Sequence, residues 1–207
     1  MGGAMTAKAL HMGVLAVQGD YEAHSAAFAE MGVTTCPVKT AEDLAGVSAL
    51  VMPGGESTAM LRLLKRSGLE APLREFVQRQ PVFATCAGCI LLARQVLHPE
   101  QESFAALDVT VERNAYGRQN ESAICMVETT LPGGELEAVF IRAPRIQQMG
   151  PNVEALAWRD GFPVLVRQGG ILAATFHPEL AADRRVHQLF LQMVETNLQQ
   201  NASNLQA

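Results

Sequence analysis

Four short apolar runs alternate with helical patterns over the first half of this chain. The runs cover residues 13–17, 33–38, 49–52 and 81–85. Helices are predicted between them at 21–31, 40–44, 59–65 and 69–78, the third capped by Ser57 or Thr58. Continuous apolar runs fit strands buried on both faces, and regular alternation with helices is typical of parallel sheets. The pattern therefore predicts an α/β protein with three layers, in which helices flank a mostly parallel central sheet.

The second half of the chain changes character, because closely spaced strand patterns follow one another without long helices. They cover residues 107–113, 123–129, 138–142, 153–158, 164–168 and 171–176. Turn signals separate them, so we expect antiparallel strands added to the same sheet. An amphipathic helix is predicted at 186–198. The expected organisation is one domain over 12–198, with residues 1–11 as a disordered or added extension and 199–207 as a frayed tail.

The composition supports a buried core and argues against several classes of partner. Of the 207 residues, 48% are hydrophobic and 18% are charged, and the formal net charge is -5. No basic stretch stands out, so there is no electrostatic reason to expect nucleic acid. No apolar run approaches the roughly 18–20 residues that span a bilayer, and residues 1–12 lack the order of a signal peptide. We therefore expect a cytoplasmic protein with no nucleic-acid or membrane partner.

Cys86 occupies the junction between the apolar run 81–85 and an apolar helix pattern that starts with Ala87-Gly88. A sulfur at a helix N-terminus is favoured as the thiolate, the nucleophilic form. Two other interpretations stay open at this point: an inert buried thiol, or a redox pair with Cys89 in a C-x-x-C motif. Cys89 fits better as a small buried residue of the helix. A zinc site would need a second pair of ligands at suitable spacing, so no metal is expected.

His177 and Glu179 follow the last strand pattern, separated by Pro178. In an extended segment, residues two apart project to the same side, and the proline disfavours a helix at the histidine. His177 can then act as the base for Cys86, with Glu179 orienting its ring. Taken alone, the pair is better explained as a surface histidine and a solvated glutamate. Together with Cys86, it supplies the three parts of a site for covalent acyl transfer.

A glycine pair follows the third strand pattern, within Pro53-Gly54-Gly55-Glu56-Ser57. Ligands of parallel sheets bind beyond the carboxyl ends of strands, where a glycine lets the backbone approach a reacting atom. We expect the N–H groups of Gly55 and Ala87 to form an oxyanion hole, although a plain strand-to-helix turn has the same pattern. Arg113 and Arg142 lie near predicted strand ends, where either one can bind the carboxylate of an amino acid or simply face solvent.

Three motifs in this order resemble those of the triad-type (class I) glutamine amidotransferases: Pro-Gly-Gly-Glu-Ser at 53–57, Thr-Cys-Ala-Gly at 85–88 and His-Pro-Glu at 177–179. Two more specific motifs, Val-Gln-Gly-Asp at 17–20 and Phe-Ile-Arg-Ala-Pro at 140–144, are similar to the glutaminase subunit of pyridoxal 5′-phosphate synthase. The resemblance covers about 12–198, nearly the whole chain. It implies a flavodoxin-like α/β fold.

The resemblance also implies a glutaminase in which Cys86 attacks the side-chain amide of L-glutamine, with His177 and Glu179 completing a catalytic triad. Glutamine would be contacted by residues at six matching positions: Gly54, Gly55, Glu56, Arg113, Ile141 and Arg142. Ammonia would pass to a barrel-shaped synthase subunit within a large mixed assembly. This subunit would need no cofactor or metal of its own.

Three alternatives remain open at the level of the sequence. The glutaminase could serve another biosynthetic acceptor, the same sheet could carry another cysteine hydrolase, or the chain could be a non-catalytic regulatory subunit. The presence of all three triad residue types argues against the last. Because glycines allow the peptide at 54–55 to flip, we expect low glutaminase activity without the partner subunit.

Overall fold

Twelve strands and six helices form the described part of the chain, residues 10–115 and 122–204 of a computed structural model. The strands are β1 (Met12–Leu15), β2 (Thr35–Val38), β3 (Ala49–Met52), β4 (Val82–Thr85), β5 (Ala93–Leu97), β6 (Leu107–Glu112), β7 (Ser122–Thr129), β8 (Leu136–Ile141), β9 (Arg145–Met149), β10 (Glu154–Arg159), β11 (Phe162–Gln168) and β12 (Ile171–Ala174). The helices are α1 (Tyr21–Glu30), α2 (Ala41–Ala45), α3 (Ser57–Ser67), α4 (Glu70–Phe76), α5 (Ala87–Leu92) and α6 (Arg185–Asn204).

Nine strands form the central sheet, in the order β2-β1-β3-β4-β12-β11-β10-β7-β8. The first five are parallel to one another. The last four continue the sheet through antiparallel pairs. The prediction of an α/β fold with a mostly parallel sheet and added antiparallel strands is confirmed. Since β1, β3, β4 and β12 run in one direction, their carboxyl ends meet at one edge of the sheet.

Helices cover both faces of the parallel half, as β3 illustrates, because all four of its residues are buried. Leu50 and Met52 belong to the core on the face covered by α2, α3, α4 and α5. Ala49 and Val51 belong to the core on the opposite face, covered by α1 and α6. Successive strand residues project to opposite sides, so one continuous apolar run buries both faces of the sheet. The three predicted layers are present.

A second sheet of three strands, in the order β5-β6-β9, departs from the prediction. The sequence predicts the run at 107–113 as an addition to the central sheet, but β6 pairs in parallel with β5 and antiparallel with β9 instead. Neither partner is predicted, because polar residues interrupt their apolar pattern. Arg94 and Gln95 are exposed in β5, and only Ile146 is fully buried in β9. As a result, β6 brings Arg113 to the site from outside the central sheet.

The beginning of the fold differs from the predicted boundary at residue 12. Leu10 packs against the core, and the His11 carbonyl accepts a 2.8 Å hydrogen bond from the Ser48 N–H. Residues 10 and 11 therefore belong to the domain rather than to an extension. Residues 1–9, for which disorder is predicted, lie outside the described residues.

The end of the fold also differs from the prediction. The last helix continues through Asn204, beyond the predicted end at 198, because the polar residues that follow include no helix breaker. The remainder of the predicted tail, 205–207, lies outside the described residues. None of the described helices is both long and apolar enough to cross a membrane.

Candidate active site

The predicted site residues converge at the edge of the sheet where the parallel strands end. Loops that follow β3, β4 and β12 supply Gly54, Cys86 and His177. The Cys86 N–H donates a 2.9 Å hydrogen bond to the Ala174 carbonyl at the end of β12. An open pocket of about 270 Å³ lies at this edge. Eight of the predicted residues line it: Gly54, Gly55, Glu56, Cys86, Arg113, Ile141, Arg142 and His177.

Cys86 lies on a strained turn between β4 and α5. Its backbone is at φ 47° and ψ -104°, a conformation that residues with a side chain rarely adopt. Gly88 makes the turn possible, because a Cβ at that position would lie 2.3 Å from the Met52 carbonyl oxygen. Helix α5 therefore approaches the end of β3 closely. The thiol lines the pocket, with its sulfur 3.9 Å from the Ile141 carbonyl oxygen.

His177 and Glu179 form a buried hydrogen-bonded pair beside Cys86. Nδ1 of His177 lies 2.8 Å from Oε1 of Glu179, and Cys86 is close enough to the ring to raise the pKa of His177. The expected extended conformation holds only for His177, whose N–H donates to the Val139 carbonyl at 2.8 Å. Glu179 instead lies in a 3-10 turn, Pro178–Leu180, which brings its carboxylate back to the ring. The three side chains thus form a line from cysteine to histidine to glutamate.

The charges in this group stabilise one another. Burial lowers the pKa of His177, but its interactions with Cys86 and Glu179 outweigh burial and raise that pKa to about 10. Burial raises the pKa of Glu179, but the neighbouring His24 and His177 bring it below its usual value. Glu179 is therefore a carboxylate at neutral pH, and the histidine holds a proton when the sulfur is negatively charged.

Cys89 lies three residues beyond Cys86 on α5 and is fully buried in the core. Burial raises the pKa of its thiol to about 12, with a further contribution from Cys86, so it stays protonated and unreactive. All four cysteines of the chain are free thiols. One pocket thiol and one core residue explain the C-x-x-C motif, which argues against the redox interpretation. Among the described residues, no group of three His, Cys, Asp or Glu side chains is placed to hold a metal ion.

Gly54 makes a close approach to the side chains of His177 and Cys86. A Cβ at that position would lie 2.3 Å from Cε1 of His177 and 3.3 Å from Cβ of Cys86. Gly54 is itself covered by Gly19, where a Cβ would lie 1.9 Å from the Gly54 carbonyl oxygen. The lack of side chains at both positions therefore lets the loops after β1 and β3 close around the sulfur.

Glu56, rather than the predicted Ser57 or Thr58, caps α3. Its carboxylate accepts hydrogen bonds from the N–H groups of Thr58 (3.0 Å) and Ala59 (2.7 Å). The hydroxyls of Ser57 and Thr58 donate instead to Oε1 of Gln101. The glutamate reaches the first N–H groups of the helix, and its charge suits the positive end of the helix dipole. The predicted cap is therefore wrong, and Glu56 has a structural role in addition to its place at the pocket.

Arg113 and Arg142 both line the pocket. Arg113 forms an ion pair with Oε1 of Glu56 at 3.2 Å, which links the turn after β6 to the start of α3. Arg142 follows Ile141 at the end of β8 and has a left-handed backbone with φ 44°. Their predicted contacts with glutamine stay predictions. The same holds for the oxyanion role of Ala87, the first residue of α5, where helix N–H groups have no intrahelical partner.

The loop after β1 also belongs to the site, although its side chains carry no chemical signal in the sequence. Gly19 and Asp20 line the pocket, and Oε1 of Gln18 accepts a 3.2 Å hydrogen bond from the Glu56 N–H. Their position could have indicated this, because these residues follow an apolar run just as Gly54 does. They fall in one of the motifs on which the family resemblance rests.

Two buried histidines behind Glu179 were missed entirely. His24 on α1 and His187 on α6 are both fully buried, and Nε2 of His24 lies 3.3 Å from Oε2 of Glu179. Each is a single histidine in a helix pattern, 163 positions apart from the other. Nothing in the sequence near either residue connects it to the site.

The fold places a cysteine at a strand-to-helix turn on the edge of the sheet. This architecture is that of a class I glutamine amidotransferase. A crystal structure of a glutamine amidotransferase with 44% sequence identity matches it with a TM-score of 0.83, over 89% of this chain and 98% of that chain. A glutamine amidotransferase from Thermotoga maritima, only 16% identical, has a similar fold with a TM-score of 0.58, over 93% of this chain and 85% of the other.

The chain belongs to the SNO glutamine amidotransferase family, whose model matches residues 14–196. It is 57% identical over 185 residues to the pyridoxal 5′-phosphate synthase subunit PdxT of Koribacter versatilis, covering 89% of this chain and 96% of the relative. It is 52% identical over 188 residues to the PdxT subunit of Thermotoga maritima, covering 90% of this chain and all of the relative.

Proposed function

We propose that this chain is the glutaminase subunit of a pyridoxal 5′-phosphate synthase, with Cys86 as its nucleophile. The observation that carries the proposal is the group of three side chains at the pocket: the Cys86 thiol, the neighbouring His177 ring, and Glu179 at 2.8 Å behind the ring. This grouping of a thiol, a base and an orienting carboxylate supports covalent acyl transfer. The names of the relatives supply the acceptor reaction.

The reaction follows from these positions. His177 takes the proton of the Cys86 thiol, and the sulfur attacks the amide carbon of the glutamine side chain. The N–H groups of Gly55 and Ala87 stabilise the oxyanion of the tetrahedral intermediate. As the C–N bond breaks, His177 gives its proton to the leaving amine and ammonia departs. Water then attacks the thioester with His177 as base, so glutamate leaves and the thiol is restored.

The rest of the pocket suits the amino-acid end of glutamine. Arg113 and Glu56 place a positive and a negative group 3.2 Å apart at its wall, and Arg142 adds a second guanidinium. A free amino acid carries a carboxylate and an ammonium on one carbon, so this arrangement matches both charges. Ile141 lies beside the thiol through its carbonyl oxygen and contacts the aliphatic part of the substrate.

The ammonia is delivered to a barrel-shaped synthase subunit in a large hetero-oligomer, and the pair together makes pyridoxal 5′-phosphate. Support comes from the relatives, which are synthase subunits by name and match this chain over nearly their full length. The reaction belongs in the cytoplasm, because the nucleophile must stay reduced and none of the four cysteines is paired.

The test combines the purified chain with its synthase partner and measures glutamate release and pyridoxal 5′-phosphate formation from glutamine. We expect Cys86→Ala to abolish both, and Cys89→Ala, a matched change three residues away in the core, to retain activity. The chain without its partner should hydrolyse glutamine slowly, because the loop at Gly54 and Gly55 needs the partner to hold the oxyanion hole.

Unchanged glutamate release by Cys86→Ala would overturn the catalytic assignment. Full glutaminase activity that never reaches pyridoxal 5′-phosphate would instead indicate a different acceptor. Equal turnover with and without the partner would refute the conditional oxyanion hole.

A further inference from the structure

A chain of buried histidines extends the line of catalytic side chains into the core. Oε2 of Glu179, the carboxylate oxygen that does not contact His177, faces Nε2 of His24 at 3.3 Å. Nδ1 of His24 lies 3.2 Å from Nε2 of His187, and Nε2 of His24 is also 3.2 Å from the Thr85 hydroxyl. Both histidines are fully buried. The reaction proposed above uses neither of them.

Aromatic side chains enclose this pair. The His187 ring packs edge-on against the rings of Phe28 and Phe83, with centroids 5.1 and 5.4 Å away, and the His24 ring packs edge-on against Phe83 at 5.6 Å. Such apolar surroundings disfavour a charged imidazole. Burial accordingly lowers the pKa of His24, and lowers that of His187 to about 3.

Other charged groups face the pair from neighbouring elements. Asp20 before α1 and Glu179 favour a proton on His24, whereas His177 disfavours it. Arg184 before α6 disfavours a proton on His187. Burial remains the largest influence on both rings, so both are neutral at physiological pH. A neutral imidazole carries one N–H and one bare nitrogen, which makes the position of that hydrogen decisive.

The neighbours assign the hydrogen positions. A carboxylate only accepts, so the nitrogen that faces Glu179 must carry hydrogen: His24 is the Nε2–H tautomer. Its Nδ1 is then an acceptor, and Nε2 of His187 must donate to it. The remaining nitrogen, Nδ1 of His187, is buried without a hydrogen-bond partner among the described residues, as suits a bare acceptor better than an N–H. The opposite assignment would bury an unpaired N–H and set a lone pair against the carboxylate.

We propose that His24 is a positioning residue, which His187 holds in the Nε2–H tautomer and which fixes the second oxygen of the Glu179 carboxylate. The first oxygen then stays on Nδ1 of His177 throughout the reaction. The Thr85 hydroxyl at 3.2 Å from the same nitrogen shares this N–H and ties it to the residue that precedes Cys86. Oε2 of Glu179 is buried and has no well-formed hydrogen bond among the described residues, so the approach of the His24 ring at 3.3 Å is the polar contact that its removal would take away.

The first test is spectroscopic and does not depend on any enzymatic activity. Nitrogen-15 NMR of histidine-labelled protein distinguishes the two neutral tautomers by the chemical shifts of their ring nitrogens. We expect His24 to show a protonated Nε2 and a bare Nδ1 at neutral pH and above, with His187 in the same tautomer. A His24 that titrates near pH 6.5, or one protonated at Nδ1, would overturn the proposal.

The second test compares two substitutions of His24 in the complex with the synthase partner. His24→Phe keeps a ring of similar size and removes the N–H, while His24→Gln keeps an N–H donor near the Nε2 position. Without the donor, Glu179 supports the imidazolium less well. We expect His24→Phe to lower the pKa of His177, read by NMR, by about one unit, and kcat by about tenfold, with KM for glutamine nearly unchanged. The alkaline limb of the pH–rate profile should move to lower pH.

A packing control separates this effect from loss of stability. Phe28→Leu disturbs the same core beside His187 without removing a hydrogen bond, so it should lower stability and leave the His177 titration in place. His24→Gln should recover most of the loss in kcat. Equal effects of His24→Phe and Phe28→Leu on the His177 pKa would contradict the positioning role. The kinetic part rests on the proposed function, whereas the NMR titrations stand even if glutamine proves to be the wrong substrate.

Discussion

The site has two sides that are built in different ways. The pocket side, formed by Gly54, Gly55, Glu56 and Arg113, is open, and its closest approach to the nucleophile is made by backbone without side chains. The buried side consists of Glu179 and the two histidines behind it, almost closed to solvent and held between α1, α6 and the sheet. The pocket side depends on shape, because substrate must enter there. The buried side depends on the placement of protons, because a charge in the core is tolerated only when its partners are fixed.

The largest effect is expected from adding one methyl group on the pocket side. Gly54→Ala would place a Cβ 2.3 Å from the His177 ring, so the ring must move away from Cys86. We expect kcat/KM for glutamine to fall by about 100-fold or more, as displacements of about 1 Å do in other sites. Gly46→Ala is the matched control, because that glycine has a helical backbone and a Cβ there would make only ordinary van der Waals contact, 3.4 Å from the Asp43 carbonyl oxygen. Comparable losses in both variants would contradict the steric explanation.

On the buried side, the corresponding change removes a charge and keeps the shape. Glu179→Gln should reduce the free energy of unfolding at pH 7 by about 2 kcal/mol, the contribution of a hydrogen bond to a charged group. The folded protein lowers the pKa of Glu179 below its ordinary value of 4.5, so this contribution is present above about pH 4.5 and is lost as the pH falls through the lower, folded-state value.

Urea unfolding of both proteins between pH 7 and pH 3 measures that contribution. The difference between wild type and Glu179→Gln should shrink as the solution becomes acidic. A difference that stays constant over this range would mean that the carboxylate charge does not stabilise the fold.

A smaller effect is expected at the rim of the pocket. Arg113→Gln removes one guanidinium at the pocket wall. If this group binds the carboxylate of glutamine as proposed, we expect KM to rise by about tenfold, with kcat changed much less. Arg167→Gln is the control, since it breaks a comparable ion pair with Glu154 far from the pocket. If KM rises equally in both, Arg113 does not bind the substrate.

The smallest effect concerns Glu56, which caps α3 and also lines the pocket. Glu56→Ala removes the acceptor for the Thr58 and Ala59 N–H groups, and should lower the free energy of unfolding by about 1 kcal/mol. Thermal or urea unfolding at pH 7 measures the loss. Stability equal to wild type would show that water replaces the carboxylate at this helix end.

The pocket side could be predicted from the sequence because its signals are local. Cys86 lies between an apolar strand and a helix, and Gly54 follows another apolar strand, so the rule for parallel sheets places both at one edge. His177 and Glu179 are two residues apart, although their hydrogen bond uses a 3-10 turn rather than the expected extended segment. Short-range patterns of this kind can be recognised in the sequence without knowledge of the tertiary structure.

The buried side could not be predicted, because its contacts join distant parts of the chain. His24 and His187 are 163 positions apart and meet only when α1 and α6 pack on the same face of the sheet. The small sheet was missed for a related reason, since exposed residues such as Arg94 and Gln95 interrupt the apolar pattern of β5. The cap of α3 was predicted wrongly because serine and threonine are common capping residues, whereas here the longer side chain of Glu56 reaches the first N–H groups of the helix.

We propose that Cys86 is the single nucleophile of the site, and that both the pocket side and the buried side support it. A diazoketone analogue of L-glutamine, added to the complex with the synthase partner, should alkylate that nucleophile, and mass spectrometry of the digested protein locates the label. We expect one label on Cys86, blocked by glutamine and absent from Cys89, which is protonated in the core. Labelling of Cys36 or Cys125 in its place, or glutamine hydrolysis that continues after Cys86 is fully alkylated, would contradict it.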